Sequence, residues 1–134
     1  MKNPDFELDF KVRDYECDLQ GIVNNANYLH YLEHTRHEFL LSRGVSFARL
    51  HDDGIDAVLH RVDITYKSPL HSRDEFVSQL RVEADGYRQV FYHEILRKDN
   101  GTLCARAKVE NVCLKDGKLS VLPELNERIT SKRP

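Results

Sequence analysis

Cysteine is scarce in this 134-residue chain: Cys17, Cys104 and Cys113 make an odd number, with no Cys-x-x-Cys pair among them. That excludes a disulfide framework and a thiolate metal site, and it fits a reduced, cytoplasmic protein. No apolar run is long enough for a transmembrane helix, and Met1-Lys2-Asn3-Pro4-Asp5 does not read as a signal peptide. Charge of one sign is also lacking. A formal net charge of −2 gives no general attraction to nucleic acid or anionic membranes, so an anionic ligand would need local basic residues. There is no Gly-rich phosphate loop, no G-x-S-x-G elbow and no dinucleotide fingerprint. Internal repeats, linkers and low-complexity segments are absent as well.

What is present suits one compact domain over residues 1–134, with 40% apolar and 31% charged residues, as in an ordinary soluble protein. Phe6, Leu8, Phe10 and Val12 alternate with polar residues and predict a half-buried strand. A polar stretch containing Gly21 follows, and it ends in the helix-capping residues Asn24, Asn25 and Asn27. From about Ala26 to Arg43 the spacing is helical. Tyr28, Tyr31, Leu32, Thr35 and Phe39 share a stripe, and Gly44 is the expected stop. An irregular stretch around His51 to Ile55 leads to a strand over Val58–Tyr66, with Val58, Val62, Ile64 and Tyr66 on one face. Strands over Phe76–Glu83, Arg88–Arg97 and Leu103–Leu114 are separated by Asp85-Gly86 and Asn100-Gly101 turns. Another turn is expected at Asp116-Gly117 and a short helix over Glu124–Thr130.

The order is thus strand, helix, then a meander of about four strands, an α+β chain. A helix of this length measures ~27 Å by ~10 Å, while five strands span ~24 Å. One helix covers such a sheet only if the sheet curls around it, and free strand edges still remain. A homodimer sharing its sheet is the simplest remedy.

The chemistry concentrates between Val12 and Phe39. Asp18 lies seven residues before Asn25, at a helix N-terminus whose free N–H groups can hold developing negative charge. That combination suits attack on an acyl carbon. A thioester needs a nucleophile or an activated water, and donors aimed at the oxyanion. Asp18 could fill either the nucleophile or the general-base role, or it could simply cap a turn. Asp14 and Glu16 compete with it, and in an extended segment Glu16 would point the same way as Asp18, so that repulsion would raise one pKa. Their blander reading is as solvated acids or ion-pair partners. Cys17 should face away from Asp18, with no base nearby. His30, His34 and His37 share a helix face, but Glu33–His37 and His34–Glu38 are i,i+4 pairs, which favours a solvated or interface face over a metal site.

The run Asp18-Leu-Gln-Gly-Ile-Val-Asn-Asn-Ala-Asn-Tyr28, with strand, acidic loop and long helix, resembles the hotdog-fold acyl-CoA thioesterases, and more narrowly their 4-hydroxybenzoyl-CoA thioesterase branch. The openings Val12-Arg-Asp-Tyr-Glu-Cys-Asp18 and Glu33-His-Thr-Arg-His-Glu-Phe-Leu40 are also similar to plastid acyl-ACP thioesterases of that branch. The resemblance runs over roughly Phe6 to Leu114. It implies one long helix wrapped by a curved antiparallel sheet of about five strands. It further implies hydrolysis of an acyl-CoA or acyl-carrier thioester, with Asp18 as catalytic carboxylate and the Asn25 backbone N–H polarising the carbonyl. Some bacterial members carry a His where this chain has Asn25. The backbone role does not need that side chain. Such enzymes use no metal or redox cofactor and work as dimers or tetramers, with sites at subunit interfaces.

Gly21, Val23, Tyr28 and Leu32 are accordingly expected to shape the substrate site, together with Val58 and Val62. Lys67, Arg73 and Arg88, near strand ends, are expected to meet the phosphates of coenzyme A or a carrier. Two other readings stand beside hydrolysis. One is an acyl-CoA dehydratase on the same fold, using His30 or His34. The other is a non-catalytic acyl-CoA or carrier-binding protein.

Overall fold

The computed structural model describes residues 1–131; the last three residues of the domain expected over 1–134 lie outside the described residues. The chain runs β1 (Phe6–Lys11), a 3₁₀ turn (Asp14–Glu16), α1 (Asn25–Ser42), α2 (Phe47–Asp52) and β2 (Ile55–Tyr66). It continues through β3 (Glu75–Asp85), β4 (Arg88–Arg97), β5 (Leu103–Lys115), β6 (Lys118–Leu119) and α3 (Pro123–Thr130). The strands form one antiparallel sheet in the order β1-β3-β4-β5-β2, with the short β6 beside β5. This is the hotdog fold that the α+β pattern and the resemblance imply.

α1 starts where its capping residues require. The Asn24 side chain accepts from the Ala26 N–H at 3.0 Å, and the chain leaves the helix through Gly44 at φ 74. The expected stripe is the buried one: Tyr28, Tyr31, Leu32, Thr35 and Phe39 face the sheet, joined by Leu40. Packing splits the core along the helix. Tyr28, Tyr31 and Leu32 pack with Leu70, Phe76 and Ile95 around its first half, and Phe39 and Leu40 with Leu80, Phe91 and Val109 around its second. Between the two, Thr35 Oγ1 hydrogen-bonds both the Tyr31 carbonyl (2.7 Å) and Ser78 Oγ (2.8 Å).

Three sequence expectations need correction. The last four long strands are not a simple meander. The connector after β2 contains Pro69 and no tight turn, so β2 crosses to the far edge and pairs with β5, while β1 pairs with β3. A short helix, α2, occupies part of a stretch read as irregular; its six residues are too few to show a period, although Ser46 caps them. Finally, Val58 does not share a face with Val62. The β2–β5 register slips between Leu59 and Arg61, so Val62 sits opposite the buried Val109, whereas Val58 sits opposite Val112 on the convex face. A bulge with one extra residue inverts the alternation, and Leu59 therefore takes the concave side. α3 carries more of the core than its composition suggests: Ile129 is fully buried and Leu125 packs beside it.

Candidate active site

The loop before α1 folds back on itself. Cys17 and Val23 form an antiparallel bridge, the Asp18 N–H donates to the Ile22 carbonyl at 2.9 Å, and the Gly21 N–H donates to the Asp18 carbonyl at 3.0 Å. Asp18 Oδ1 accepts from the Gln20 N–H at 2.8 Å, which shapes the tip as an Asx turn. Gly21 closes it at φ 79, a conformation that disfavours side chains. The tip is anchored beneath by Val23, whose N–H donates to Leu70 O at 2.8 Å. Asp18 itself stays exposed, with its second carboxylate oxygen free of any partner among the described residues. Two residues past the anchor the chain enters α1, so the carboxylate is fixed on one side of a tight hairpin and the helix N-terminus follows on the other. Asn25 is the first helical residue, and N–H groups of a first turn have no partner within the helix.

Neighbouring acids have other duties. Glu16 is buried; its Oε1 accepts from the Arg13 N–H at 2.8 Å and from the Tyr31 hydroxyl at 3.0 Å, while Oε2 pairs with Arg13 Nη1 at 3.2 Å. The 3₁₀ turn points it inward, so it does not share the direction of Asp18 as an extended segment would have it. Its carbonyl also accepts from the Asn24 N–H and from Asn27 Nδ2, tying the turn to the helix start. Asp14 accepts from the Ser72 hydroxyl. Burial, then the surrounding carboxylates, pushes the Cys17 thiol pKa up, away from the thiolate a nucleophile requires.

The remaining candidates divide. Val23, Tyr28 and Leu32 are core residues, at most 3% exposed, and Tyr28 spends its hydroxyl accepting from the Leu70 N–H at 3.2 Å. They support the loop and the helix start from below. Lys67 and Arg73 lie in the β2–β3 connector, exposed, at the same end of the sheet as Asp18. Arg88 does not join them: it opens β4 at the opposite end, about 30 Å along the strand from Arg97. The three helix histidines diverge. His30 contacts Asn27 (3.3 Å), His34 sits 3.9 Å from Glu38 against Phe10, and His37 sits 3.8 Å from Glu33 against Phe47. Among the described residues no group of three potential ligands gathers to hold a metal.

A second feature escaped the sequence. A cavity of about 780 Å³ lies between the outer face of α1, α2 and the concave side of β2 and β5, lined by Leu29, Arg36, Phe47, Leu59, Val62 and Asn111 among others. Its outline depends on the β2 bulge and on the unforeseen α2, and neither leaves a periodic signal.

A family model described as the thioesterase-like superfamily matches residues 12–131. The chain belongs to that superfamily. Among curated thioesterase relatives, the long-chain acyl-CoA thioesterase FadM of Escherichia coli is 31% identical over 92% of this chain and 96% of its own length. The chloroplastic acyl-acyl carrier protein thioesterase ATL3 of Arabidopsis thaliana is 36% identical over 69% of this chain. This thioesterase-like chain spans about half the length of such plastid relatives, 48% for ATL3. Among solved structures, a hypothetical protein from Aquifex aeolicus superposes with a TM-score of 0.86 at 31% identity, covering 94% of this chain and 99% of that one. A 1,4-dihydroxy-2-naphthoyl-CoA thioesterase from Synechocystis shares the fold, with a TM-score of 0.87 at 22% identity over 93% and 94% of the two chains. No helix of the described residues is long and apolar enough to cross a membrane.

Proposed function

We propose that this thioesterase-like protein hydrolyses acyl thioesters of coenzyme A or an acyl carrier protein, with Asp18 as the catalytic carboxylate and the Asn25 N–H as the oxyanion donor. The observation that carries this reading is the anchored hairpin: it holds an exposed carboxylate with a free oxygen on the loop that runs directly into a helix N-terminus. In the general-base route Asp18 takes a proton from water, the hydroxide oxygen bonds the acyl carbon, and the C–S bond breaks, the thiolate taking up that proton. In the covalent route the carboxylate bonds the acyl carbon as the C–S bond breaks and the thiolate leaves. Water then splits the mixed anhydride, regenerating the Asp18 carboxylate and releasing the acid, and the thiolate takes up the proton set free. A backbone donor at the oxyanion is worth about 10²–10³ in rate in either route. Lys67 and Arg73, on the same end of the sheet, suit the phosphates of the thiol carrier. FadM and ATL3 bear names for coenzyme A and carrier thioesters respectively, and both substrate types stand within the proposal.

The assembly proposed is a homodimer or a dimer of dimers, in a reduced cytoplasm that suits the three free thiols. The edge strand β2 supports it: unpaired on one side, it exposes Val58, Leu59 and Tyr66, the kind of edge that a second copy covers. Antiparallel pairing across a two-fold axis sets the Ile55 end of one β2 beside the Tyr66 end of the other.

The test is free-thiol release from short, long and aromatic acyl-CoAs and from acyl carrier thioesters, for the wild type and Asp18→Asn. Release that disappears in the variant supports the assignment. Release unchanged in Asp18→Asn removes the carboxylate role, and silence on every thioester removes the hydrolase reading.

A further inference from the structure

The cavity between α1 and β2 has an apolar wall and an uncommon polar floor. Leu29, Phe47, Leu59 and Val62 supply the wall. On the floor, Arg36 and Asn111 line the space, and His93 and Gln89 stand behind them on the concave face, His93 1% and Gln89 2% exposed. Among the described residues, the Arg36 guanidinium makes one hydrogen bond, to His93 Nε2 at 3.2 Å, and no carboxylate pairs with it. Partial burial lowers its pKa to about 10, against the opposing charge of Glu33 one turn earlier on α1.

Donors are prominent among the groups left free here, and Asn111 adds an amide that can both donate and accept. Because Arg36 donates to Nε2, the neutral His93 ring carries its proton on Nδ1, and Nδ1 is buried without a partner. Gln89 Nε2 is likewise buried and unpartnered, directly across the β4–β5 ladder from Asn111. Arg36 keeps further N–H groups, since a guanidinium carries five. Unpaired buried donors cost about 1–3 kcal/mol each. Of these groups, Arg36 and Asn111 face the space itself; a hydrocarbon end would leave their N–H groups unpaired, whereas an oxygen atom that accepts hydrogen bonds would engage them.

Position agrees. Leu29 and Arg36 lie on one side of α1, and Arg36 stands eleven residues beyond Asn25, about 16 Å along the axis. An acyl group whose carbonyl meets a helix N-terminus has that length in which to reach a guanidinium.

Resting on the thioesterase reading, we propose that this cavity takes an acyl group whose far end bears a hydrogen-bond-accepting oxygen, bound by Arg36 and Asn111. Hydroxyl and carboxylate ends share this chemistry, since either offers Arg36 an oxygen that accepts hydrogen bonds. Arg36 is thus a specificity-determining residue rather than a catalytic one.

The test uses three acyl-CoAs of equal chain length ending in methyl, hydroxyl or carboxylate, and the three corresponding S-alkyl-CoA thioethers, which cannot be hydrolysed, as binding probes read by calorimetry. For the wild type, kcat/KM should favour an oxygen-terminated ester by at least ~10-fold over the methyl ester, because a site built on polar groups rejects a partner that cannot satisfy them. Arg36→Met and, as a second variant with Arg36 intact, Asn111→Leu should each collapse that ratio toward one while methyl-ester turnover persists. Equal or better use of the methyl ester by the wild type overturns the proposal, as does a preference that survives both substitutions. So does loss of the oligomer in Arg36→Met with selectivity unchanged, which would make the guanidinium an interface group. The thioethers separate this proposal from the activity it rests on. With no thiol release from any ester, tighter binding of the oxygen-terminated thioethers that is lost in Arg36→Met upholds the cavity and removes only the hydrolase reading. Equal or absent binding of all three thioethers leaves a water-filled pocket and overturns the inference.

Discussion

Glu16 and Asp18 are carboxylates separated by one residue, and the loop assigns them to opposite environments. The 3₁₀ turn buries Glu16, where three donors from Arg13 and Tyr31 occupy its oxygens. The hairpin tip exposes Asp18 and uses only one of its oxygens, in the Asx turn. A carboxylate whose lone pairs are committed can hold a structure together but has nothing left for a substrate, whereas one with a free oxygen beside a helix start can. The loop's architecture and its chemistry thus come from the same residue type, sorted by burial.

Asp18→Asn gives the sharpest contrast: turnover should fall by at least ~10²-fold while the melting temperature stays close to wild type, because the Asn side chain still accepts from the Gln20 N–H. A parallel loss of both would break the division of labour. Glu16→Ala should do the reverse. Stripping the Tyr31 hydroxyl and Arg13 of their acceptor should cost about 2 kcal/mol of stability, read by urea unfolding, with activity per folded molecule largely kept.

His93 extends the comparison to the sheet. Burial, helped by the Arg36 charge, lowers its pKa to about 3, whereas the unfolded chain returns it to ~6.5. Between those limits the unfolded state binds a proton that the folded state refuses, so stability falls as pH falls through this window. The slope from this residue approaches ~1.4 kcal/mol per pH unit. Unfolding at pH 6 and pH 5 should show that slope reduced in His93→Gln, and an identical slope would mean that His93 is not held neutral. The smallest effect belongs to the hairpin itself. Gly21→Ala meets no atom within 4 Å, so its cost is the backbone strain at φ 79 alone, ~1 kcal/mol in thermal stability. A much larger loss would show that the tip is packed against something beyond this chain.

Much of this was legible along the chain, and the reason differs from element to element. The α1 stripe from Tyr28 to Phe39 and the strand alternation were visible because periodicity is a local property. The capping asparagines marked the helix start within a residue. The loop pattern at Asp18 was readable because its turn is closed by residues two and three positions away. The β2 bulge left no such trace: nothing in Val58 to Val62 announces that one residue is skipped, and that skip moves Leu59, not Val58, onto the concave face. Glu16 forms the ion pair that the sequence allowed, but its inward direction was not legible, since a residue's direction depends on whether its segment is extended or turned.

Composition and local pattern by themselves therefore determined the long helix and the long strands, the helix face that packs, and the carboxylate placed before a helix N-terminus, since each rests on neighbours within one or two turns of chain. Only the tertiary structure decided that β2 takes the sheet edge beside β5, that Arg88 stands at the far end from Asp18, and that Arg36, Asn111, Gln89 and His93 share one donor-rich floor. Those relations join residues tens of positions apart, and they exist only once the sheet has curled around the helix and fixed its register.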